Sequence, residues 1–306
     1  MRITDIRLFK LAVPLKTPFR TALRTVERME SVIVEVHTDT GHIGRGEAPA
    51  TAVITGDTLP SIAWAVEGVI GPRLIGGDIE ERELLLHRVH TAMVHNTSAK
   101  AALDMALYDL YGQHLGIPLW KLLGGFRNTV ETDLTISVGT ADSMAVDSLR
   151  AVEEGYRILK VKVGRDSAGD LDRLRRIREA VPRDIRIRVD ANQGWTPKEA
   201  VRIIRAMEDQ GLEVELVEQP VRADDLEGLR FVTSHVLTDI LADEAVFSLR
   251  DGVELIQARA ADLINIKLMK TGGLYQAELL CGLAQAYGVG CMMGCMLEGG
   301  VAATAA

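Results

Sequence analysis

The chain has 306 residues, 47% of them hydrophobic, which is enough apolar material for a sizeable core and for two domains. Its formal net charge is −8 and it has no basic block, which argues against a nucleic-acid binder held by phosphate contacts. Met1 to Asp5 lacks the apolar region of a signal peptide and no apolar run approaches the roughly 18 residues of a membrane span, so a cytoplasmic protein is expected.

Strand patterns cover 3–13, 31–39 and 42–47, with a turn at Thr40-Gly41. The polar segment 15–30 between the first two is too long for a hairpin turn and is expected to be a binding loop. Residues 57–115 show helical periodicity. Asn96-Thr97-Ser98 is the expected cap of a helix over 99–115, stopped by Gly116 and Pro118. Antiparallel strands followed by helices define an α+β domain over 1–125, closing at Gly124-Gly125.

From about residue 129 strands and helices alternate. A strand is predicted over 132–138, a helix over 141–154 stopped by Gly155, and a strand over 158–163. Thr196-Pro197-Lys198-Glu199 is a capping box with proline at the first helical position. Further helices fit 224–235, 248–258 and 272–287, and a seventh strand fits 290–296. The expected fold is therefore α/β: an N-terminal α+β capping domain followed by a modified TIM (β/α) barrel over 126–306. Seven strands do not close such a barrel in the usual way, so its last strand and a C-terminal segment are expected to lie outside this sequence.

The informative stretch is Ile158-Leu159-Lys160-Val161-Lys162-Val163-Gly164. Alternation along a strand points Lys160 and Lys162 to one face. Two amines on a buried face call for anionic partners, because unpaired buried charge costs several kcal/mol. Asp190, Glu218 and Asp243 end the next three apolar runs and Lys267 ends the fourth, in steps of 28, 28, 25 and 24 residues from Lys162. An eight-unit barrel of about 250 residues gives about 31 per unit, and charged residues at successive strand ends converge on one mouth. Three carboxylates there form an all-oxygen site for one hard divalent cation such as Mg²⁺. Lys162 and Lys267 would flank the bound ligand. That arrangement suits removal of a proton alpha to a carboxylate and its return from the opposite face. Neighbouring cations, Lys160 among them, are expected to pull a lysine from about 10.4 toward the roughly 7–8 useful in a base.

Lys160-Val161-Lys162, Asp190-Ala191-Asn192-Gln193-Gly194-Trp195, Val217-Glu218-Gln219-Pro220, Ala242-Asp243-Glu244 and Asn265-Ile266-Lys267-Leu268-Met269-Lys270-Thr271-Gly272-Gly273 together resemble the enolase superfamily, in particular its muconate-lactonizing subgroup. Phe19 to Thr25, Val53 to Asp57 and Ser98 to Ala102 are most similar to the dipeptide epimerases of that subgroup. The resemblance implies an isomerase that epimerises an L-Ala-D/L-Glu type dipeptide in murein peptide metabolism. By it, Lys162 and Lys267 are the acid/base pair, and Asp190, Glu218 and Asp243 hold one Mg²⁺. Thr135 and Lys160 would contact the substrate carboxylate region, Arg24 its acidic side chain, and Cys295 and Leu297 the ligand at the seventh strand end. The family's Asp-x-Asp pair, which recognises the substrate ammonium, lies past Ala306.

The same site could serve an N-succinylamino-acid racemase, an o-succinylbenzoate synthase or a cycloisomerase, or a metal-binding barrel without catalysis. The expected partners are a small-molecule substrate and further copies of the chain, with no nucleic acid and no membrane. Cys281, Cys291 and Cys295 lack zinc spacing and are expected to be reduced core residues. Met292, Met293 and Met296 are expected to fill the core.

Overall fold

The computed structural model describes residues 1–306. Three antiparallel strands open it: β1 (Ile3–Arg20), β2 (Thr25–Thr38) and β3 (Ile43–Pro49), in the order β1-β2-β3. Along β2, Val32, Val34 and Val36 alternate into the core, which is why this strand occupies the middle of the sheet. The segment 15–30 is not a loop. It extends β1 and β2 into a long hairpin arm whose register breaks between Pro14 and Phe19, where Pro14 and Pro18 have no N–H to donate, and resumes through Phe19↔Val26 and Arg20↔Thr25. The tip is therefore only Thr21 to Arg24, closed by Thr21 N donating to Arg24 O at 3.0 Å.

The helix Thr97–Leu115 begins and ends close to the expected points, with Gly116 in the left-handed region as its stop. Asn96 precedes it in a left-handed conformation without a side-chain cap. Buried around most of its circumference, this helix lies against β3 so closely that a Cβ on Gly46 would stand 1.8 Å from Ala102 O. No helix in the protein is long and apolar enough to cross a membrane.

Seven parallel strands follow in simple sequential order: β4 (Leu134–Ile136), β5 (Ile158–Lys162), β6 (Arg186–Asp190), β7 (Val214–Glu218), β8 (Asp239–Ala242), β9 (Leu263–Ile266) and β10 (Gly290–Met293). Helices Ala141–Glu153, Ser167–Ala180, Pro197–Asp209, Leu226–Thr233, Leu249–Ala258 and Leu274–Ala286 separate them. The capping box forms as read: Thr196 accepts from Glu199 N, and the Glu199 side chain returns to Thr196 N. This is the capping sheet and modified, curled TIM-type half-barrel that the alternation predicted.

Three strands are shorter than expected: β4 covers 134–136 of 132–138, β5 ends at Lys162 rather than 163, and β10 ends at Met293 rather than 296, which leaves Cys295 and Leu297 in the following loop. One cluster of 63 buried apolar residues runs through both parts, so the capping elements and the barrel share a core.

The cysteines correct the sequence reading. Cys281, Cys291 and Cys295 are all exposed, on the helix Leu274–Ala286, on β10 and in the loop that follows it.

Candidate active site

Lys162, Asp190, Glu218, Asp243 and Lys267 all sit at or just past the C-terminal end of a strand, and Lys160 lies two residues before the end of β5. The pleat of β5 aims Lys160 and Lys162 the same way. Lys162 is level with Asp190, and Asp190 with Glu218, as paired positions of neighbouring strands. Asp243 is the first residue after β8 and Lys267 the first after β9. The two lysine positions thus flank three acids in sheet order.

Asp190 and Asp243 are fully buried and Glu218 is 1% exposed, so their charges must be answered locally. Lys160 Nζ lies 2.5 Å from Glu218 Oε2 and 3.0 Å from Asp190 Oδ2. Lys162 Nζ donates to Asp190 Oδ2 at 2.6 Å and to Asn192 Oδ1 at 3.0 Å. Lys267 Nζ donates to Asp243 Oδ2 at 2.5 Å. Asn265 Nδ2 steadies Glu218 through its Oε1 at 2.8 Å.

Burial pushes Glu218 up to about 7, helped by the Asp190 charge and opposed by Lys160. Burial also opposes ionisation of Asp190 and Asp243, yet adjacent lysines outweigh it and hold both below the usual carboxylate range. Lys160 and Lys267 answer the buried acids directly. Burial works against the charges of Lys160 and Lys267, but the carboxylates win and both pKa values are raised. Lys160 directs its charge at Asp190 and Glu218.

The donor set fits a hard cation, although no three acidic side chains yet converge into a finished cage. Ammonium groups stand between the carboxylates. Several buried oxygens of the cluster, Asp243 Oδ1, Glu244 Oε2 and Asn265 Oδ1, have no hydrogen-bond donor. Asp243 Oδ1 has a Lys270 ammonium at 2.7 Å without an acceptable hydrogen-bond geometry. An all-oxygen cluster with unsatisfied acceptors is chemically suited to Mg²⁺.

Above the cluster lies a cavity of about 460 Å³. Lys160, Lys162, Lys267, Thr135, Cys295 and Leu297 line it from the barrel, and Phe19, Thr21, Leu23 and Arg24 from the hairpin arm. The arm is tied to the barrel by Val138 N donating to Arg20 O and Arg20 N to Ser137 Oγ, both at 3.2 Å. Burial lowers the Arg24 pKa, and no carboxylate contributes to the shift, so the guanidinium is free to meet an anionic ligand. Met292, Met293 and Met296 line the same cavity, which corrects their assignment as core filler.

Sequence reasoning gave no role to four side chains of the cluster. Lys270 is wholly buried and donates to Asn265 O at 2.8 Å and to Asp243 O. Asn192 links Lys162 to Glu244, donating to Glu244 Oε1 at 3.3 Å. Glu244 is pushed up to about 7 by burial and then by Asp243. The Phe19 ring lies 5.9 Å from Lys162 Nζ. The available signal was their place inside the quoted motifs: Lys270 lies three residues after Lys267, and Asn192 two after Asp190.

A capping sheet over parallel strands whose ends carry three buried acids flanked by two amines beneath one cavity is the architecture of an enolase-type protein. The chain belongs to the mandelate racemase / muconate lactonizing enzyme family: that family's N-terminal domain matches residues 3–124, and the enolase C-terminal domain-like family matches residues 144–306. It is 52% identical over 306 residues to the L-Ala-D/L-Glu epimerase of Clostridium acetobutylicum, spanning 100% of this chain and 86% of that one. The substrate-liganded L-Ala-D/L-Glu epimerase from Bacillus subtilis superposes with a TM-score of 0.99 at 50% identity, covering 100% of this chain and 86% of that one. The dipeptide epimerase of Enterococcus faecalis V583, complexed with Mg and L-Leu-L-Tyr, gives 0.97 at 42% identity with the same coverage.

Proposed function

We propose that this protein is a Mg²⁺-dependent isomerase that epimerises an L-Ala-D/L-Glu type dipeptide at the carbon alpha to the terminal carboxylate. The observation that carries the reading is the placement of Lys162 and Lys267 on the two flanks of Asp190, Glu218 and Asp243 in sheet order, with both lysines lining one cavity and the three acids buried beneath it. Relatives at 50–52% identity named L-Ala-D/L-Glu epimerase support it.

Asp190, Glu218 and Asp243 would hold the cation, which when bound supplies positive charge to stabilise the enolate. Lys162 and Lys267 each work from one flank: the neutral amine takes the α-proton, and the ammonium opposite delivers one to the other face. Lys160 and Thr135 bind the carboxylate region, and Arg24 grips the glutamate side chain, for which a guanidinium can make two parallel hydrogen bonds. Phe19, Leu23 and the methionines give the cavity its apolar wall.

The charges balance along the path. Four lysines and four carboxylates are buried together here: Lys160, Lys162, Lys267 and Lys270 against Asp190, Glu218, Asp243 and Glu244. After proton transfer the new ammonium is offset by the enolate. Charge therefore moves within the site without being created or lost.

A role in murein peptide turnover in the cytoplasm is part of the same proposal. The test is incubation with Mg²⁺ and L-Ala-L-Glu in D₂O, following the glutamate α-proton by NMR. Exchange with appearance of L-Ala-D-Glu is expected. A folded, Mg²⁺-binding protein that exchanges nothing overturns this substrate.

A further inference from the structure

We propose that Asp104, a residue of the capping domain remote from the cavity, is a positioning residue for Lys267. The inference rests on the reading of Lys267 as one of the two bases. Asp104 lies on the helix Thr97–Leu115 and is completely buried. Its carboxylate reaches out of the capping domain to the start of the barrel helix Leu274–Ala286. Oδ1 accepts from Leu274 N at 2.6 Å, and Oδ2 accepts from Tyr275 N at 3.4 Å and lies 3.2 Å from His90 Nε2. A carboxylate at a helix N-terminus satisfies donors that have no partner in the helix and meets the positive end of its dipole.

Between this pin and Lys267 there are only six residues, and they form a tightly bonded turn. Lys270 N and Thr271 N both donate to Lys267 O, at 2.9 and 3.1 Å. Gly272 N and Gly273 N both donate to Leu268 O at 2.9 Å, and Thr271 Oγ1 donates to Gly273 O at 3.1 Å. The Lys267 carbonyl thus anchors one end of the turn and Asp104 holds the other. Gly273 is obligatory for two reasons: its φ is +129°, and a Cβ there would lie 2.3 to 2.4 Å from the Asp104 side chain. The Lys-Thr-Gly-Gly run has a physical account in this close approach of the two domains, which the reaction chemistry alone does not provide.

Lys162 has no such connection. Its strand and the following loop are held within the barrel, Gly164 N donating to Asp170 Oδ2 at 2.9 Å. Loosening the Asp104 pin therefore disturbs one base and spares the other, a signature that general destabilisation lacks.

The experiment compares Asp104→Asn and Gly273→Ala with the parent protein in Mg²⁺ and D₂O, on each glutamate epimer separately. Lys267→Ala first identifies the epimer whose α-proton exchange runs through Lys267. In the folded variants that exchange should fall about 10- to 100-fold in kcat, the scale of a misplaced catalytic group, while KM and exchange of the other epimer stay within about threefold. Backbone amide hydrogen exchange is measured on the same samples: residues 268–274 should exchange at least about tenfold faster, with β6 and β7 unchanged. Equal losses for both epimers, no loss in folded protein, or failure of both variants to fold would make the contact purely architectural and overturn the proposal. If the parent exchanges neither epimer, the dipeptide reading fails. The amide readout then decides the pin alone: loosening confined to 268–274 upholds it and an unchanged segment overturns it.

Discussion

Lys267 Nζ and Asp243 Oδ2 stand 2.5 Å apart and are almost wholly buried, so the amine is held as ammonium by the carboxylate that a cation must share. Removing the cation with a chelator should therefore abolish α-proton exchange, and Mg²⁺ should restore it. Mg²⁺ at about 100 times its Kd should also stabilise the fold by about 2.7 kcal/mol, seen as a rise in Tm. Asp190→Asn should lose most of that rise. An unchanged Mg²⁺-dependent Tm in this variant would remove Asp190 from the cation site.

Arg24 sits at the tip of the hairpin arm without a protein carboxylate to satisfy it. Arg24→Met should lower kcat/KM for L-Ala-L-Glu by roughly 10- to 100-fold, the value of a charge-assisted pair of about 1.5–3 kcal/mol. Dipeptides ending in a neutral residue should lose much less. Equal losses on both substrates would show that Arg24 shapes the arm instead of reading the side chain.

Glu298 follows the cavity loop, and burial, offset in part by its contact with Cys295, pushes its carboxyl up to about 7. A raised carboxyl pKa contributes stability that is fully present below the unfolded value of about 4.5 and is lost as pH rises through about 7. Denaturant unfolding should accordingly show stability declining across that window, by up to about 3 kcal/mol. Glu298→Gln should flatten the decline. An unaltered pH dependence in the variant would assign it to other groups.

The exposed cysteines should differ in reactivity. Cys281 is lowered by its contact with Cys291, whereas the partial enclosure of the Cys295 sulfur by its loop and the neighbouring Glu298 push Cys295 up to about 12. Iodoacetamide at pH 8 should label Cys281 first and Cys295 much more slowly, as read by peptide mass spectrometry, since the thiolate is the reactive form. Preferential labelling of Cys295 would contradict this order.

The barrel was legible because each acid or amine terminates an apolar run, so spacing alone located the mouth. The hairpin arm was not. Its two prolines and many polar residues read as a loop, since an arm standing over a cavity buries little on either face and shows no clean alternation. That the carboxylates raise Lys160 and Lys267 was not legible either, because a sequence shows which charges are near but not which is nearest. Lys270 and Asp104 were invisible for a related reason: each acts through a backbone group, and no residue pattern marks which carbonyl or amide a buried side chain will reach.

The acids and lysines of the proposed reaction occupy β5 to β9, an unbroken run of neighbours, whereas Thr135 lies on β4, Cys295 and Leu297 follow β10, and Arg24 rides on the separate arm. In the proposed reading the proton-transfer residues share neighbouring strands, whereas most of the residues that would select the substrate stand on other elements. Mutations that alter which molecule is accepted can accumulate on those elements while the proton-transfer apparatus stays in register. A lineage built this way can diversify its diet without having to reinvent its reaction.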